Sequence, residues 1–176
     1  MSTLLIILII IAVLALIPAL MTKSFSLEES IIINQPNTVV FDYLKHIKNQ
    51  DHFNTWSMMD PDMEKTYTGT DGTVGFVSAW DSHKPKGPGK GEQEIKQIKE
   101  GERLDVELRF IKPFNSISPA WFTTENTGNG QTKTSWGISG KMPYPMNFMI
   151  VAFGMNKQMG KELQNGLGRL KQLLEK

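Results

Sequence analysis

The sequence predicts an α+β protein in which a curved antiparallel sheet of about seven strands wraps one long C-terminal helix, behind a single N-terminal transmembrane helix. Three observations carry this. Leu104, Val106, Leu108 and Phe110 alternate strictly with Arg103, Asp105, Glu107 and Arg109. From Phe148 to Leu174 apolar residues recur at steps of three and four, and from Leu4 to Met21 the chain carries no charge.

The N-terminal run reads LLIILIIIAVLALIPALM. As a helix it would extend about 27 Å, close to the roughly 30 Å hydrocarbon core of a bilayer. A cleaved signal peptide fits less well. No Lys or Arg precedes the run, and Ala19-Leu20-Met21 does not supply a small residue at its last position. Residues 1–23 are therefore expected to be an uncleaved single-pass anchor and 24–176 the folded domain. Lys23 follows the run and nothing basic precedes it, which puts the domain on the cytoplasmic side by the positive-inside rule.

Ser26 to Asn34 is expected as the first strand, closed by Gln35-Pro36-Asn37. Pro36 suits the first turn of a helix carrying Val39, Val40, Tyr43 and Leu44, and a second short helical piece covers Asp51 to Trp56. Strands are expected over Lys65–Gly69 and Val74–Trp80, and the Pro/Gly-rich stretch Asp81–Gly91 as an exposed loop. Gly91–Ile98, the alternating stretch to Phe110, Ile117–Glu125 and Thr132–Lys141 complete a hairpin-connected sheet. The apolar stripe of Phe148, Ala152, Met155, Met159, Leu163, Leu167, Leu170 and Leu174 predicts one helix of about seven turns, and only the sheet is large enough to cover it.

Several kinds of chemistry are excluded by what the chain lacks. The 176 residues have a net charge of +1 and no cysteine, so a basic nucleic-acid surface and thiolate chemistry are not expected. The glycines at 69, 72 and 75 do not match a nucleotide loop, and no GK[ST] occurs. His46, His52 and His83 are scattered, so no metal or other cofactor is expected. Asp51-His52 is read as a solvated helix start with Asp51 near the N-cap. Asp60 and Asp62, flanking Pro61, are read as a polar turn.

Certain landmarks resemble the SRPBCC (START/birch-pollen-allergen-like) superfamily, in its polyketide cyclase/dehydrase and lipid-transport branch. They are Asn34-Gln35-Pro36 before Val40-Phe41-Asp42-Tyr43; Trp56; Tyr67-x-Gly69-x-x-Gly72-x-x-Gly75 leading to Trp80; Gly89-x-Gly91 with Gln93 and Ile95; Phe110 with Pro113; and Thr132 to Trp136 with Gly140. The resemblance spans Ile31 to Lys176 and rests mostly on element order. It implies a helix-grip fold around an apolar cavity, without deciding between carriers and enzymes.

With such a cavity, the aromatic, aliphatic and methionine side chains become candidate ligand contacts: Trp56, Phe76, Trp80, Val106, Leu108, Phe110, Phe122, Trp136, Met155 and Met159. Met146 and Met149 stand nearby in sequence. The favoured reading is a membrane-anchored module that binds or carries a lipid, isoprenoid or polyketide-like molecule beside the bilayer. The alternative is a cyclase or dehydratase using the same cavity. It is disfavoured because the inward face of residues 104–110 offers no ionisable group.

Overall fold

In the computed structural model the described residues are Thr3, Leu5 and 18–176, the side chains of Met149 and Val151 excepted. Met1, Ser2, Leu4 and residues 6–17 of the expected anchor lie outside them. Among the described residues no helix is long and apolar enough to cross a membrane.

β1 spans Ser24–Ile33 and leads through Pro36 into α1, Asn37–Lys45. The Pro36 carbonyl accepts the backbone N–H groups of Val39 and Val40, so proline stands just ahead of the first turn, where its missing donor costs nothing. Val40, Phe41 and Leu44 are the buried face of α1, whereas Val39 is exposed. A 3-10 turn, Ile47–His52, precedes α2, Thr55–Met59, which Asn54 caps by accepting the Trp56 N–H at 3.0 Å. The short helix expected over Asp51–Trp56 is thus two pieces. Asp51 lies inside the 3-10 turn and pairs with Lys65 rather than capping a helix.

β2 (Glu64–Thr68), β3 (Val77–Asp81), β4 (Lys90–Lys99), β5 (Arg103–Lys112), β6 (Ser116–Gly128) and β7 (Gln131–Lys141) follow. All seven strands form one sheet in the order β1-β7-β6-β5-β4-β3-β2, every neighbouring pair antiparallel. The stretch 74–76, expected as strand, is a turn in which the Gly75 N–H donates to the Ile95 carbonyl and the Phe76 carbonyl accepts the Ile95 N–H.

The C-terminal stripe is not one helix. α3 (Phe148–Ala152) and α4 (Met155–Leu174) are separated at Gly154, which adopts a left-handed conformation with φ +57. Gly160, Leu163, Gly166, Leu167 and Leu170 make the buried face of α4, which lies chiefly against β1 and also reaches β7. The helix-grip arrangement is therefore present, with the grip confined to the part of α4 after its first turn. Ahead of α3, the buried side chain of Asn147 donates to the carbonyls of Pro18, Met21 and Thr22 at 2.6, 3.3 and 3.4 Å. This ties the end of the N-terminal helical segment to the domain.

Candidate ligand cavity

Because the pleat alternates, residues paired across the sheet share a face. The concave face carries one row of Lys65, Trp80, Gly91, Phe110 and Ser116, and another of Tyr67, Ser78, Gln93, Leu108 and Ser118. Further along lie Ile95, Val106, Ala120 and Ile138, then Leu104, Phe122 and Trp136. Of these, Leu104, Ile95, Phe122 and Trp136 are buried in the core. Leu108, Phe110 and Trp80 point to the same side yet stay only half-buried. The protein leaves the space in front of them empty.

That space is a cavity of about 240 Å³. β5 supplies Val106, Leu108 and Phe110; β6 and β7 supply Ala120, Phe122, Trp136 and Ile138; α4 closes it with Met159 and Leu163, and α2 with Trp56. Trp80 lies over Gly91, where a methyl group would come within 2.6 Å of its indole, and meets Phe110 edge-on at 6.0 Å. Trp136 stacks on Phe122 at 5.0 Å and takes the edges of Phe53 and Trp56, each at 5.9 Å. The apolar walls are therefore a set of rings holding one another in place.

Of the side chains proposed from sequence, the structure brings together Trp56, Trp80, Val106, Leu108, Phe110, Phe122, Trp136 and Met159. It does not bring Phe76 or Met155 to the cavity wall. Phe76 is fully buried and stacks on Tyr67 at 6.1 Å, beyond the cavity. Met155 belongs to the first turn after Gly154, ahead of the part of α4 that packs on the sheet.

The sequence reading missed the polar part of the wall. Gln50, Asp51, Asn54, Ser57, Lys65, Ser78 and Gln93 all border the cavity. The Lys65 ammonium donates to Asp51 at 2.5 Å, so the wall does hold ionisable groups, contrary to the expectation from residues 104–110 alone. Burial and the nearby Asp51 carboxylate push the Tyr67 phenol above its ordinary pKa. Gln93 was legible in principle, being in phase with Ile95 on a strand. Gln50 and Asp51 were not, because a 3-10 turn gives no periodicity that shows which side faces inward.

A wider groove of about 780 Å³ runs beside α1, bordered by Asp42, Tyr43, Lys45, His46 and Glu100. It lies open to solvent, and its cation is satisfied, since Lys45 pairs with Asp42 and Glu100 at 3.2 and 3.5 Å. The apolar cavity, the less open of the two, is the better binding site.

No protein-family model matches the chain, and no curated protein does. Solved structures do match. Ara h 8.0201 is 13% identical over 86% of this chain and 97% of that one, with a TM-score of 0.57. Truncated norcoclaurine synthase from Thalictrum flavum is 10% identical over 89% and 98%, with a TM-score of 0.63. A protein from Chromobacterium violaceum is 14% identical over 86% and 97%, with a TM-score of 0.60. The fold is that of the birch-pollen-allergen-like, or SRPBCC-like, helix-grip proteins. Another structure of the Thalictrum flavum norcoclaurine synthase holds dopamine and hydroxybenzaldehyde.

Proposed function

We propose that this chain binds a small hydrophobic molecule in the cavity between sheet and α4, while residues 4–21 hold it on a membrane as a single-pass anchor with the domain on the cytoplasmic side. The observation that carries the binding reading is the row of inward-pointing, half-buried side chains, Trp80, Leu108 and Phe110, around a partly open space of about 240 Å³. Leaving such area unfilled forgoes roughly 25 cal/mol for every Å² a ligand would cover. The volume lies below the roughly 300 Å³ at which drug-sized sites begin, which favours a compact polyketide-like or isoprenoid ring over a two-chain lipid. The test is mass spectrometry of a solvent extract from the full chain purified in lipid nanodiscs. A compact apolar compound enriched over empty nanodiscs is expected, and its loss in Phe110→Asp supports the cavity as its place. Equal recovery from both proteins would sink the reading.

The membrane part has support from one end of the sheet. β1 begins and β7 ends there, as do the β3–β4 and β5–β6 connections. Leu20, Ile111, Phe114, Ile117, Tyr144, Phe148 and Phe153 are all exposed on the segments at this end, beside the exposed Lys23, Lys84, Lys86, Lys112, Lys141 and Lys157. Apolar side chains fringed by lysine suit an anionic bilayer surface, each cation adding about 1 kcal/mol. Lys90 is not part of this fringe, since it is paired with Asp81 at 2.6 Å. A fragment of residues 18–176 keeps the Asn147 contacts and is expected to melt like the full chain. Lys84→Gln, Lys86→Gln and Lys112→Gln together should weaken its binding to anionic vesicles, and rising salt should weaken it too. Binding indifferent to both would count against this orientation.

A catalytic reading has one observation in its favour, the Asp51–Lys65 pair on the cavity wall. An acid–base step needs such groups beside the substrate.

A further inference from the structure

The Gln50 side chain is the clue to what the cavity selects. It is 3% exposed, borders the cavity, and accepts from Gln93 Nε2 at 3.2 Å through its Oε1. Its own Nε2 is buried with no hydrogen-bond partner. A primary amide carries two N–H donors, and protein interiors seldom leave such a group unpaired. The neighbouring Asp51 carboxylate is held by Lys65 and makes no hydrogen bond to Gln50 Nε2. Apart from these groups and Asn54, Ser57 and Ser78, the wall is largely ring and aliphatic surface, with Trp56, Trp80, Val106, Leu108, Phe110 and Trp136.

We infer that the ligand is a compact cyclic molecule bearing a neutral hydrogen-bond acceptor, such as a ketone or ester carbonyl, which takes the free N–H of Gln50 while its rings fill the aromatic part of the cavity. This rests on the cavity-binding reading and narrows it. The acceptor is neutral because the Asp51–Lys65 pair is already balanced, so a carboxylate would lose water without gaining an unpaired cation. Size points the same way. A dry engineered cavity of about 150 Å³ takes benzene. The 240 Å³ here therefore suits one to two rings.

The test compares two bicyclic probes of similar shape, 1-tetralone and tetralin, which differ in the carbonyl. Binding to the full chain in nanodiscs is read by quenching of tryptophan fluorescence, with Gln50→Met measured alongside. For each probe the wild-type-to-variant ratio is taken, so partition into the bilayer cancels. The expected ratio is about tenfold for tetralone, the 1.4 kcal/mol of one well-made buried hydrogen bond. For tetralin it should be close to one. Gln50→Met deprives Gln93 of its partner, so the double variant with Gln93→Met is the control. It removes both polar groups and should repeat the result if the single variant is unstable. If both probes bind with ratios near one, the acceptor inference is overturned while cavity binding stands. Should neither probe bind the wild type, the cavity-binding reading itself falls.

Discussion

Leu163→Asp is expected to destabilise the domain by roughly 3–5 kcal/mol, enough to abolish cooperative folding in a protein of ordinary stability. Leu163 is 1% exposed in the middle of the buried face of α4, between the core and the cavity. Among the described residues no basic side chain borders the cavity except Lys65, which Asp51 already holds. The new carboxylate would have to be buried unpaired or drive the helix off the sheet. Gln164, the next residue round the helix, is exposed, and Gln164→Asp should change stability by less than about 0.5 kcal/mol. Urea denaturation of the two variants decides the matter. Similar midpoints would mean that the gripping face of the helix has been misassigned.

Two glycines in the same helix should respond in opposite directions to alanine. Gly→Ala in a helix interior is worth up to about 1 kcal/mol in favour of folding. Among the described residues nothing lies within contact of a methyl group at Gly168, so Gly168→Ala should raise the melting temperature. At Gly166 the same methyl would stand 2.6 Å from Trp136 Cζ3 and 3.3 Å from the Phe53 carbonyl oxygen. Trp136 is 5% exposed and already held by Phe122, Phe53 and Trp56. The cavity that it lines offers it space to yield. Overpacking of this kind costs about 1–3 kcal/mol, so Gly166→Ala should be destabilised despite its better helix propensity. The displaced indole should also shrink the site and weaken ligand binding. Equal stabilisation by both substitutions, measured calorimetrically, would contradict the close approach of helix and sheet.

The parts of this fold that the sequence revealed are those where one face is wet and the other dry. β5 is the clearest case. Its outward Arg109 is bound to Glu92, Glu94 and Glu107 at 2.6, 2.7 and 2.7 Å, while Leu104 and Val106 are buried on the other face. The break at Gly154 was not legible, because the apolar rhythm passes from Ala152 to Met155 and Met159 without a change of step, and a glycine inside such a rhythm is tolerated as readily as it ends the helix. Misplacing Met155 followed from that. Phe76 was misplaced because Gly75, at φ +87, turns the chain just before β3 and leaves Phe76 outside the strand's alternation. The aromatic walls could be listed from residue type. The polar end could not, since Gln50, Asp51 and Lys65 meet only once the 3-10 turn is laid against β2.

The interruption at Gly154 leaves α4 with two unequal parts in terms of local unfolding. The first turn, Met155 to Met159, has no fully buried residue, whereas Gly160, Leu163, Gly166, Leu167 and Leu170 lock the remainder. Opening of the first turn therefore costs far less than global unfolding, and its amides belong to the fast-exchanging class. Met159 sits on the cavity wall at the end of this weak segment. Fraying of this one helical turn, with the sheet intact, would release the part of the cavity wall that Met159 supplies.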